Sequence, residues 1–478
     1  MMRNPDTTEK GEPARKLNRW SAALSLLLIA SVAGLVVTKR ALTAARSREL
    51  SAQARLALME NPERGLLLAM EAARTAPTRQ AEEALRTALL NYPVLAVLRG
   101  HKGELRDATF APDGKTMATA SVDATARLWD AATGKMLAKL TGHKDQVLTV
   151  AYSPDSKLLV TASEDKTARV WEVPSGREIA VLGGHRRSVF GAVFSPDGRY
   201  VLTVSNDNTA RVRDTSTWRT VARLEGHTSG VDSGAFSPDS RLVVTVSRDM
   251  TTRVWEASTG KAVGVFEGHL PSVTAATFSP DGKLIVNGGA CDVPTRCDPT
   301  VRVWDVTSGS RVAELHGHCG GVNSAAFSPD GKYVATASDD QTFRLWELST
   351  GRSIADIRGY GGTVQRAIFS PDDGMIATGS HDGTARVWIP PMSPLHSTGE
   401  DDLLVLRGHA DPLCSIAFSP DGKLLITGSW DGTARVWKVT GLRAQLAQLH
   451  GVGELLAFAQ TRVGRTLTDE EKKQFLSD

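Results

Sequence analysis

The chain has 478 residues, of which 41% are hydrophobic and 23% are charged, so it is able to form a large globular core. The first 92 residues carry 14 Lys and Arg against 9 Asp and Glu, whereas the remainder carries 42 against 44 and is nearly neutral. Because non-specific nucleic-acid binding requires clustered cations that neutralise phosphates, this balance excludes nucleic-acid binding of the usual electrostatic kind.

A long apolar segment follows a polar leader over residues 1–19. It runs from Trp20 to Thr38 and contains 19 residues without a charge. As an α-helix it would extend about 28 Å, close to the thickness of a bilayer core. We predict that residues 20–38 form a single transmembrane helix; a cleaved signal peptide and a buried core helix are the alternatives. Lys and Arg flank the segment in similar numbers on both sides, so the positive-inside rule leaves the orientation undetermined.

Residues 39–91 carry the pattern of a helical stalk or hairpin. Helix-forming residues continue to Asn61 and Pro62, and Asn followed by Pro is typical of the cap and first position of a new helix. We predict that this second helix ends near Arg74 and that a third begins near Pro77. Each has one apolar stripe, which predicts packing of the two helices against each other or against the next domain.

From Tyr92 onwards the sequence repeats with a period of about 42 residues. Each of eight units contains a Gly-His pair, an apolar run, a turn such as SPDG, a second apolar run, and a segment such as TARVWE. Short alternating runs separated by turns predict four antiparallel strands in each unit. The histidines of the pairs are His101, His143, His185, His227, His269, His318 and His409, and Tyr360 takes this position in the seventh unit.

A histidine, a threonine, an aspartate and a tryptophan recur at fixed positions in these units. In most units the aspartate follows the histidine by 22 residues and the tryptophan follows it by 28. The recurring partners of the histidines are Thr119, Asp123, Trp129, Thr161, Asp165, Trp171, Thr203, Asp207, Thr245, Asp249, Trp255, Asp298, Trp304, Thr336, Asp340, Trp346, Thr378, Asp382, Trp388, Thr427, Asp431 and Trp437. A single chain has little use for many copies of one catalytic triad, so the pattern indicates a repeated structural unit.

The combination of Gly-His, Ser-Pro-Asp-Gly and Trp-Asp or Trp-Glu at this spacing resembles the WD40 repeat over roughly residues 93–440. The resemblance implies an all-β, eight-bladed WD40-type β-propeller over residues 92–440, preceded by the transmembrane helix and stalk and followed by a helical tail over 441–478. It implies that the four recurring residues form a structural hydrogen-bonded tetrad in each blade. It also implies that the strand near Pro93 closes the ring by pairing with the last blade.

Three units depart from the tetrad. Arg213 occupies the tryptophan position of the third unit, Asn287 the threonine position of the fifth, and Tyr360 the histidine position of the seventh. We expect these blades to lack part of the hydrogen-bond relay, and to be either locally softer or adapted to contact a partner.

The tail carries a second resemblance. Thr468, followed three residues later by Glu471, predicts a capped helix. Together with the membrane helix and the stalk, the tail is similar to the propeller-bearing half of bacterial STAND-type signalling ATPases, whose nucleotide-binding half we do not find in these 478 residues. This resemblance implies, as an alternative function, the sensor half of a split signalling system with a STAND-type ATPase as partner.

Two insertions interrupt the repeats. One, of about seven residues in the fifth unit, contains Cys291 and Cys297, which are close enough in sequence to form a disulfide. A disulfide would place the propeller in an oxidising, extracytoplasmic compartment, and two reduced thiols are the alternative. The other insertion is Pro-rich and lies between the seventh and eighth units. Long loops on a regular scaffold often carry function, although a neutral surface excursion fits equally.

Sequence motifs for catalysis are absent. Gly114, Lys115 and Thr116 resemble the end of a phosphate-binding loop but lack its first glycine, and neither GxSxG nor HExxH occurs. We therefore predict a membrane-anchored protein-binding scaffold, with no enzyme activity, cofactor or metal; an enzyme with a site at the channel mouth is the third alternative. By the same WD40 resemblance, the candidate partner face comprises Arg106, Glu164, Phe190, Asp232, Arg248, Gln365, His381 and Trp430. Of these, Phe190, Arg248 and Trp430 are the residue types most enriched in binding hot spots.

Overall fold

The computed structural model describes residues 12–267, 269, 273–293, 296–372, 374–389, 403–441, 449, 451–460, 463, 467, 468, 471 and 473, with side chains from residue 31 onwards except those of residues 59, 60, 274, 275, 292, 293, 296, 403 and 451. The chain divides into two compact units, one of helices and one of strands. We call them the helical unit and the propeller unit.

Within the described residues the helical unit contains four helices: α1 (Glu12–Glu60), α2 (Pro62–Thr75), α3 (Arg79–Asn91) and α4 (Gly451–Gln460). The Asn61 side chain accepts a hydrogen bond from the Arg64 backbone N–H at 3.0 Å, and Pro62 occupies the first turn of α2. The predicted start of this helix is therefore confirmed, because the cap satisfies one of the N–H groups that a helix leaves unpaired. The apolar stripe of each short helix, including Leu66 of α2 and Leu85 of α3, is buried.

Helix α1 is longer than the sequence predicts. It begins at Glu12, inside the expected polar leader, and continues without interruption through residues 20–38 into the stalk. Of the expected membrane span, the side chains of residues 20–30 lie outside those that the structure describes. Within the described part of the chain, no helix is both long and apolar enough to cross a membrane, so the predicted span is not found there.

The tail shows the predicted cap. The Thr468 backbone N–H donates to the Glu471 carboxylate at 2.7 Å, and the Glu471 N–H donates to the Thr468 hydroxyl at 3.2 Å. This reciprocal pair is the capping box that the spacing of the two residues predicts.

The propeller unit consists of eight four-stranded antiparallel sheets, which we number as blades in chain order. Blade 1 contains β2 (Leu105–Phe110), β3 (Thr116–Ser121), β4 (Ala126–Asp130) and β5 (Met136–Leu140), and blade 2 contains β6 (Val147–Tyr152), β7 (Leu158–Ser163), β8 (Ala168–Glu172) and β9 (Glu178–Leu182). Blade 3 contains β10 (Val189–Phe194), β11 (Tyr200–Ser205), β12 (Thr209–Asp214) and β13 (Thr220–Glu225), and blade 4 contains β14 (Val231–Phe236), β15 (Leu242–Ser247), β16 (Thr251–Glu256) and β17 (Ala262–Glu267).

The fifth to eighth blades follow the same plan with one insertion. Blade 5 contains β18 (Val273–Phe278), β19 (Leu284–Gly289), β22 (Val301–Asp305) and β23 (Arg311–Leu315), with the small hairpin β20 (Cys291–Val293) and β21 (Arg296–Cys297) inserted. Blade 6 contains β24 (Val322–Phe327), β25 (Tyr333–Ser338), β26 (Phe343–Glu347) and β27 (Arg352–Ile357). Blade 7 contains β28 (Val364–Phe369), β29 (Ile376–Ser380), β30 (Ala385–Trp388) and β31 (Leu403–Leu406), and blade 8 contains β32 (Leu413–Phe418), β33 (Leu424–Ser429), β34 (Ala434–Lys438) and β1 (Val94–Leu98).

The ring closes as the sequence predicts. Strand β1, from the start of the propeller unit, pairs antiparallel with β34 of the last blade, with Val94 opposite Trp437 and Leu98 opposite Ala434. The first strands of neighbouring blades contact each other all the way round, including β2 of blade 1 with β32 of blade 8. Closure in this way pairs an edge that would otherwise be open to another chain.

The hydrophobic core lies between neighbouring blades. The second strand of each blade is almost fully buried, and Leu128 of blade 1 packs in one cluster with Leu159 and Trp171 of blade 2. Burying a large apolar side chain contributes about 1.5–3 kcal/mol, so each blade depends on its neighbours for most of its stability.

Candidate functional site

The recurring polar residues meet within each blade, and blade 2 shows the arrangement. His143 Nδ1 lies 2.8 Å from Asp165 Oδ2, and His143 Nε2 lies 2.8 Å from Thr161 Oγ1. The Trp171 indole N–H donates to the same Thr161 hydroxyl at 3.0 Å. All four groups are satisfied when Nδ1 carries the proton and Nε2 accepts from the threonine. The group thereby joins the loop before the first strand to the second and third strands.

The same histidine–aspartate pairing occurs in seven blades, with Nδ1 to Oδ2 distances from 2.8 to 3.1 Å. These pairs are His101 with Asp123, His143 with Asp165, His185 with Asp207, His227 with Asp249, His269 with Asp298, His318 with Asp340, and His409 with Asp431. Threonine and tryptophan complete the tetrad in blades 1, 2, 4, 6 and 8.

Burial keeps His101 and His185 neutral. It lowers the pKa of His101 and of His185 to about 4, in spite of the opposing effect of the aspartate beside each ring. Burial alone would raise the pKa of Asp123, but hydrogen bonds from the Thr125 hydroxyl and the Lys102 N–H lower it to about 2. In blades 1 and 3 a neutral imidazole therefore lies against a carboxylate, and both ring nitrogens are engaged inside the blade. Such a closed network offers no free nucleophile or base to a substrate, and this fits the bracing role that the sequence predicts.

The three departures from the tetrad are mostly compensated, which corrects the expectation that these blades lack part of the relay. In blade 3, the Arg213 guanidinium donates to the Thr203 hydroxyl at 2.7 Å and to the Gly183 carbonyl at 2.8 Å. In blade 5, the Asn287 amide oxygen lies 3.0 Å from His269 Nε2 and accepts from the Trp304 indole at 3.2 Å. An arginine supplies the donors of an indole, and an amide oxygen replaces a hydroxyl as acceptor.

Blade 7 loses one link. The Tyr360 hydroxyl lies 2.7 Å from the Thr378 hydroxyl, to which the Trp388 indole also donates at 3.3 Å. A phenol has no second polar atom to reach Asp382. That carboxylate accepts instead from the Gly361 N–H at 3.0 Å and the Thr384 hydroxyl at 2.6 Å.

A β-bulge at the start of every first strand forms the candidate partner face. In each of the eight blades the pairing of the first and second strands skips the second residue of the first strand. Four of the predicted face residues, Arg106, Phe190, Asp232 and Gln365, occupy this bulged position. Because a bulge leaves its residue out of the ladder and bends the strand, it directs that side chain to the rim of the channel.

The other predicted face residues lie in the turn just before each tetrad aspartate. Their backbone N–H groups donate to carbonyls of the loop that precedes the first strand of the same blade, as in Glu164 to Gln146, Arg248 to Gly230, His381 to Thr363 and Trp430 to Pro412. These bonds bring the turn residues to the same end of the blade as the bulges.

The face surrounds a cavity of about 610 Å³ in the middle of the ring. Of the eight predicted face residues, six line it: Arg106, Phe190, Asp232, Gln365, His381 and Trp430. Arg248 and Glu164 are not in its lining. Sequence reasoning missed Asp107, Asn323, Arg366 and Cys414, which also line the cavity. The register of the repeats could have indicated them, since each is the second or third residue of a first strand.

Contacts divide the face into two parts. On blades 3 and 4, Arg248 Nε lies 3.0 Å from both Asp232 carboxylate oxygens, and its guanidinium carbon lies 5.4 Å from the centre of the Phe190 ring. On blades 7 and 8, the His381 and Trp430 rings lie 5.2 Å apart. The Glu164 side chain, on blade 2, is half-buried and makes no polar contact within the described residues.

The eight repeats match one known family. The matching segments are residues 93–130, 134–172, 176–214, 218–256, 260–305, 309–347, 351–388 and 401–438, and the matching family model is described as WD domain, G-beta repeat. The chain belongs to the WD40-repeat family. WD40 propellers are typically non-catalytic and commonly serve as protein-binding scaffolds.

The WD40 propeller is also similar to a designed protein of known structure. A crystal structure of the computationally designed Ika8 protein aligns with a TM-score of 0.63 and 27% sequence identity, over 73% of this chain and 100% of that chain. The similarity supports the fold and says nothing of a partner, because the name of the designed protein mentions none.

The insertion in the WD40 blade 5 is closed by a disulfide. Cys291 and Cys297 are bonded, with Cα atoms 4.1 Å apart on the paired strands β20 and β21. Cys319 is exposed and free, whereas Cys414 is half-buried and free. The Pro-rich insertion between blades 7 and 8 lies outside the described residues.

Proposed function

We propose that this WD40 propeller is a non-catalytic scaffold that binds a protein partner through the face formed by the bulged and turn residues. The observation that supports this proposal most directly is the separation of two sets of side chains. The tetrads are closed within the blades, whereas Arg106, Phe190, Gln365, His381 and Trp430 line an open cavity. A rigid ring that carries aromatic and charged side chains around one opening suits protein binding, because a partner gains contacts without having to order the scaffold.

The test is affinity capture by the full chain followed by quantitative mass spectrometry. A triple variant with Phe190→Ala, Arg248→Ala and Trp430→Ala is expected to lose the partner that wild type retains. The matched control changes Arg199, Arg241 and Lys283 to Ala, because these residues lie in the turns at the other end of the first strands. Thermal unfolding of both variants checks that the propeller is intact. Equal partner recovery by the two triple variants would show that this face is not the binding surface.

We further propose that residues 20–38 anchor the chain in a membrane by a single helix, with a preference for an extracytoplasmic propeller. The proposal is supported by the uncharged sequence of this segment and by the exposure of Leu35 and Val37, at 72% and 65%, in a helix where nothing covers them within the helical unit. A helix that is apolar all round needs an apolar environment. The blade 5 disulfide is compatible with an oxidising compartment.

Two measurements test the anchor and its orientation. The full chain is expected to stay with membranes in alkaline carbonate, whereas a variant carrying Leu28→Lys and Leu35→Lys is expected to be released. Cys319, the exposed thiol of the propeller unit, is expected to react with a membrane-impermeant maleimide added to intact cells, with Cys319→Ser as the control. Extraction of wild type by carbonate would refute anchoring, and labelling only after lysis would place the propeller inside.

The alternative in which the chain is the sensor half of a split STAND-type system stays a sequence-based prediction. None of the contacts in the described residues favours it over a scaffold, and the neighbouring coding sequences would decide between the two.

A further inference from the structure

The cavity at the centre of the propeller contains more free hydrogen-bond donors than free acceptors. Its lining includes two carboxylates, Asp107 and Asp232, and both are already engaged. Asp107 accepts from the Val150 N–H at 3.1 Å and from the Ser415 hydroxyl at 2.8 Å. Asp232 is paired with Arg248. A ligand in the cavity would therefore meet little uncompensated negative charge from its walls.

The cationic groups of the lining are less engaged. Arg366, the third residue of β28, is exposed, and its guanidinium makes no polar contact within the described part of the chain. Arg106 reaches Glu104 at 3.6 Å and Gln146 at 3.3 Å, and its Nε has no partner among the described residues. The Arg106 ion pair is exposed and long, which makes it a weak competitor for a ligand.

Two further polar atoms of the lining lack partners. Trp430 Nε1 and Thr149 Oγ1 are buried, and neither has a hydrogen-bond partner in the described residues. An indole N–H donates only, as does a guanidinium. Leaving a buried donor unmet costs about 1–3 kcal/mol, and a ligand that accepts from it recovers that energy.

Apart from Thr149, which lies on blade 2, these groups lie in one sector of the ring. Arg366 and His381 belong to blade 7, Trp430 to blade 8 and Arg106 to blade 1, and the first strands of these three blades contact each other in turn. The His381 and Trp430 rings, with centres 5.2 Å apart and planes at 48° to each other, add aromatic surface to this sector. Two acids of this sector, Glu104 and Asp411, lie on the preceding loops and outside the cavity lining, and the carboxylates of Asp123, Asp382 and Asp431 are hydrogen-bonded within their own blades.

We infer that the sector of blades 7, 8 and 1 binds a protein segment that carries consecutive Asp or Glu side chains, whose carboxylates accept from Arg366, Arg106 and Trp430. This inference rests on the proposed function and specifies the chemistry of its partner. A cavity of about 610 Å³ has room for one or two side chains, so the rest of the segment would lie across the rim. Guanidinium groups suit this ligand because they bind carboxylates with two parallel hydrogen bonds.

The test uses the full chain and fluorescein-labelled peptides of one length. One peptide carries six glutamates, a second carries six glutamines and a third carries three phosphoserines among glutamines. Fluorescence anisotropy is expected to show binding of the glutamate peptide at least about tenfold tighter than the glutamine peptide, with weakening as salt is raised. Equal binding of the first two, or binding of the phosphoserine peptide alone, would overturn the inference.

Variants assign the effect to named groups. Arg366→Gln and Arg106→Gln are each expected to weaken glutamate-peptide binding by about fivefold or more. Trp430→Phe keeps an aromatic ring but removes the indole N–H, so we expect about threefold weaker binding of the glutamate peptide. Arg241→Gln is the control, since this side chain is 84% exposed at the other end of the propeller strands. A loss with Arg241→Gln as large as with Arg366→Gln would also overturn the inference.

Two outcomes separate this inference from the function on which it rests. If the glutamate peptide does not bind but the triple face variant still loses its captured partner, the acidic chemistry is wrong and the face is retained. If the triple variant captures the same proteins as wild type, the proposed face fails as well.

Discussion

The Ser415 hydroxyl of blade 8 donates to the Asp107 carboxylate of blade 1 at 2.8 Å, and it accepts from the Ala108 backbone N–H at 3.1 Å. Asp107 in turn accepts from the Val150 N–H of blade 2. One carboxylate thus links three consecutive blades at the point where the ring closes. The pairing of β1 with β34 closes the ring at its outer side, and this contact closes it at the channel.

Ser415→Ala is expected to lower the free energy of unfolding by about 1 kcal/mol, because the substitution removes the hydrogen bonds that the hydroxyl makes to the Asp107 carboxylate and to the Ala108 N–H, which keeps only Asp107 as its acceptor. The measurement is the urea midpoint together with the melting temperature. Ser324→Ala is the matched control: Ser324 holds the equivalent strand position in blade 6, is half-buried, and makes no side-chain hydrogen bond within the described residues. A control variant as unstable as Ser415→Ala would show that the ring does not depend on this closure.

Blade 3 provides a test of the tetrad. Arg213 is 2% exposed and faces no carboxylate at hydrogen-bond distance, and burial lowers the pKa of its guanidinium to about 10. A buried cation without an acid partner costs free energy. We expect Arg213→Trp to raise the melting temperature, since tryptophan fills the same position in the other seven blades.

Arg213→Ala tests whether a gain of stability in Arg213→Trp comes from completing the tetrad or only from removing the buried cation. The variant removes the cation, but it also removes the donor to the buried Thr203 hydroxyl and leaves a cavity. We therefore expect it to melt below wild type. If Arg213→Ala were as stable as Arg213→Trp, the relay would contribute little to the blade.

The closure of the ring was predicted from the resemblance to the WD40 repeat, whereas the repeat period and the turns of the sequence were sufficient to predict eight units of four strands each. These features are local, because each unit is one set of hairpins that must bury its faces against the next unit. The resemblance to the WD40 repeat also predicted the tetrads, as at His143 and Asp165. Compensation in blade 3 was not predictable, because whether Arg213 reaches the Gly183 carbonyl depends on the path of a loop.

The cavity lining was predicted only in part. The resemblance identified Arg106 and Trp430 as face residues, but not that Asp232 and Arg248 would neutralise each other or that Arg366 would remain free. Such pairings join different blades or different loops, and they depend on the radius of the ring and on rotamers that no short sequence window contains. The start of α1 at Glu12 was missed for another reason: the polar leader has no apolar stripe to indicate a helix.

Two serines occupy turn positions where other blades have glycine. Ser156 and Ser240 have φ of 63°, a left-handed conformation that costs a residue with a Cβ about 1 kcal/mol. Each hydroxyl accepts a hydrogen bond from the turn of the preceding blade, from the Asp113 N–H at 3.0 Å and from the Asp197 N–H at 3.1 Å. The interblade bond offsets the backbone strain.

Ser240→Gly is therefore expected to change the free energy of unfolding by less than about 0.5 kcal/mol, because relief of strain and loss of the bond nearly cancel. Ser240→Ala keeps the strain and loses the bond, so we expect a loss of about 1 kcal/mol. The two variants are compared by urea unfolding at one protein concentration. A strongly stabilised Ser240→Gly would show that the hydroxyl contributes nothing.

The buried histidines predict a marked sensitivity to acid. His101 and His185 have a pKa of about 4 in the folded chain and an ordinary value of 6.5 when unfolded, so the unfolded chain binds more protons between these values. The stability that they contribute is complete above pH 6.5 and is lost as the pH falls towards 4. Asp123 and Asp207, with a pKa of about 2 against 3.8, add a further loss only as the pH falls below 3.8.

We expect the melting temperature to be constant from pH 8 to 7 and to fall steadily from pH 6.5 to 4.5. The double variant His101→Gln and His185→Gln cannot take up these protons. We expect it to melt below wild type at pH 7.5, and we expect its melting temperature to fall less than that of wild type between pH 6.5 and 4.5. Arg127 and Lys139 lower the pKa of His101, and Arg211 and Arg213 lower the pKa of His185. They therefore oppose protonation of the rings, and the difference in slope belongs to the imidazoles. Parallel curves for the double variant and wild type would mean that these histidines already exchange protons with solvent in the folded propeller.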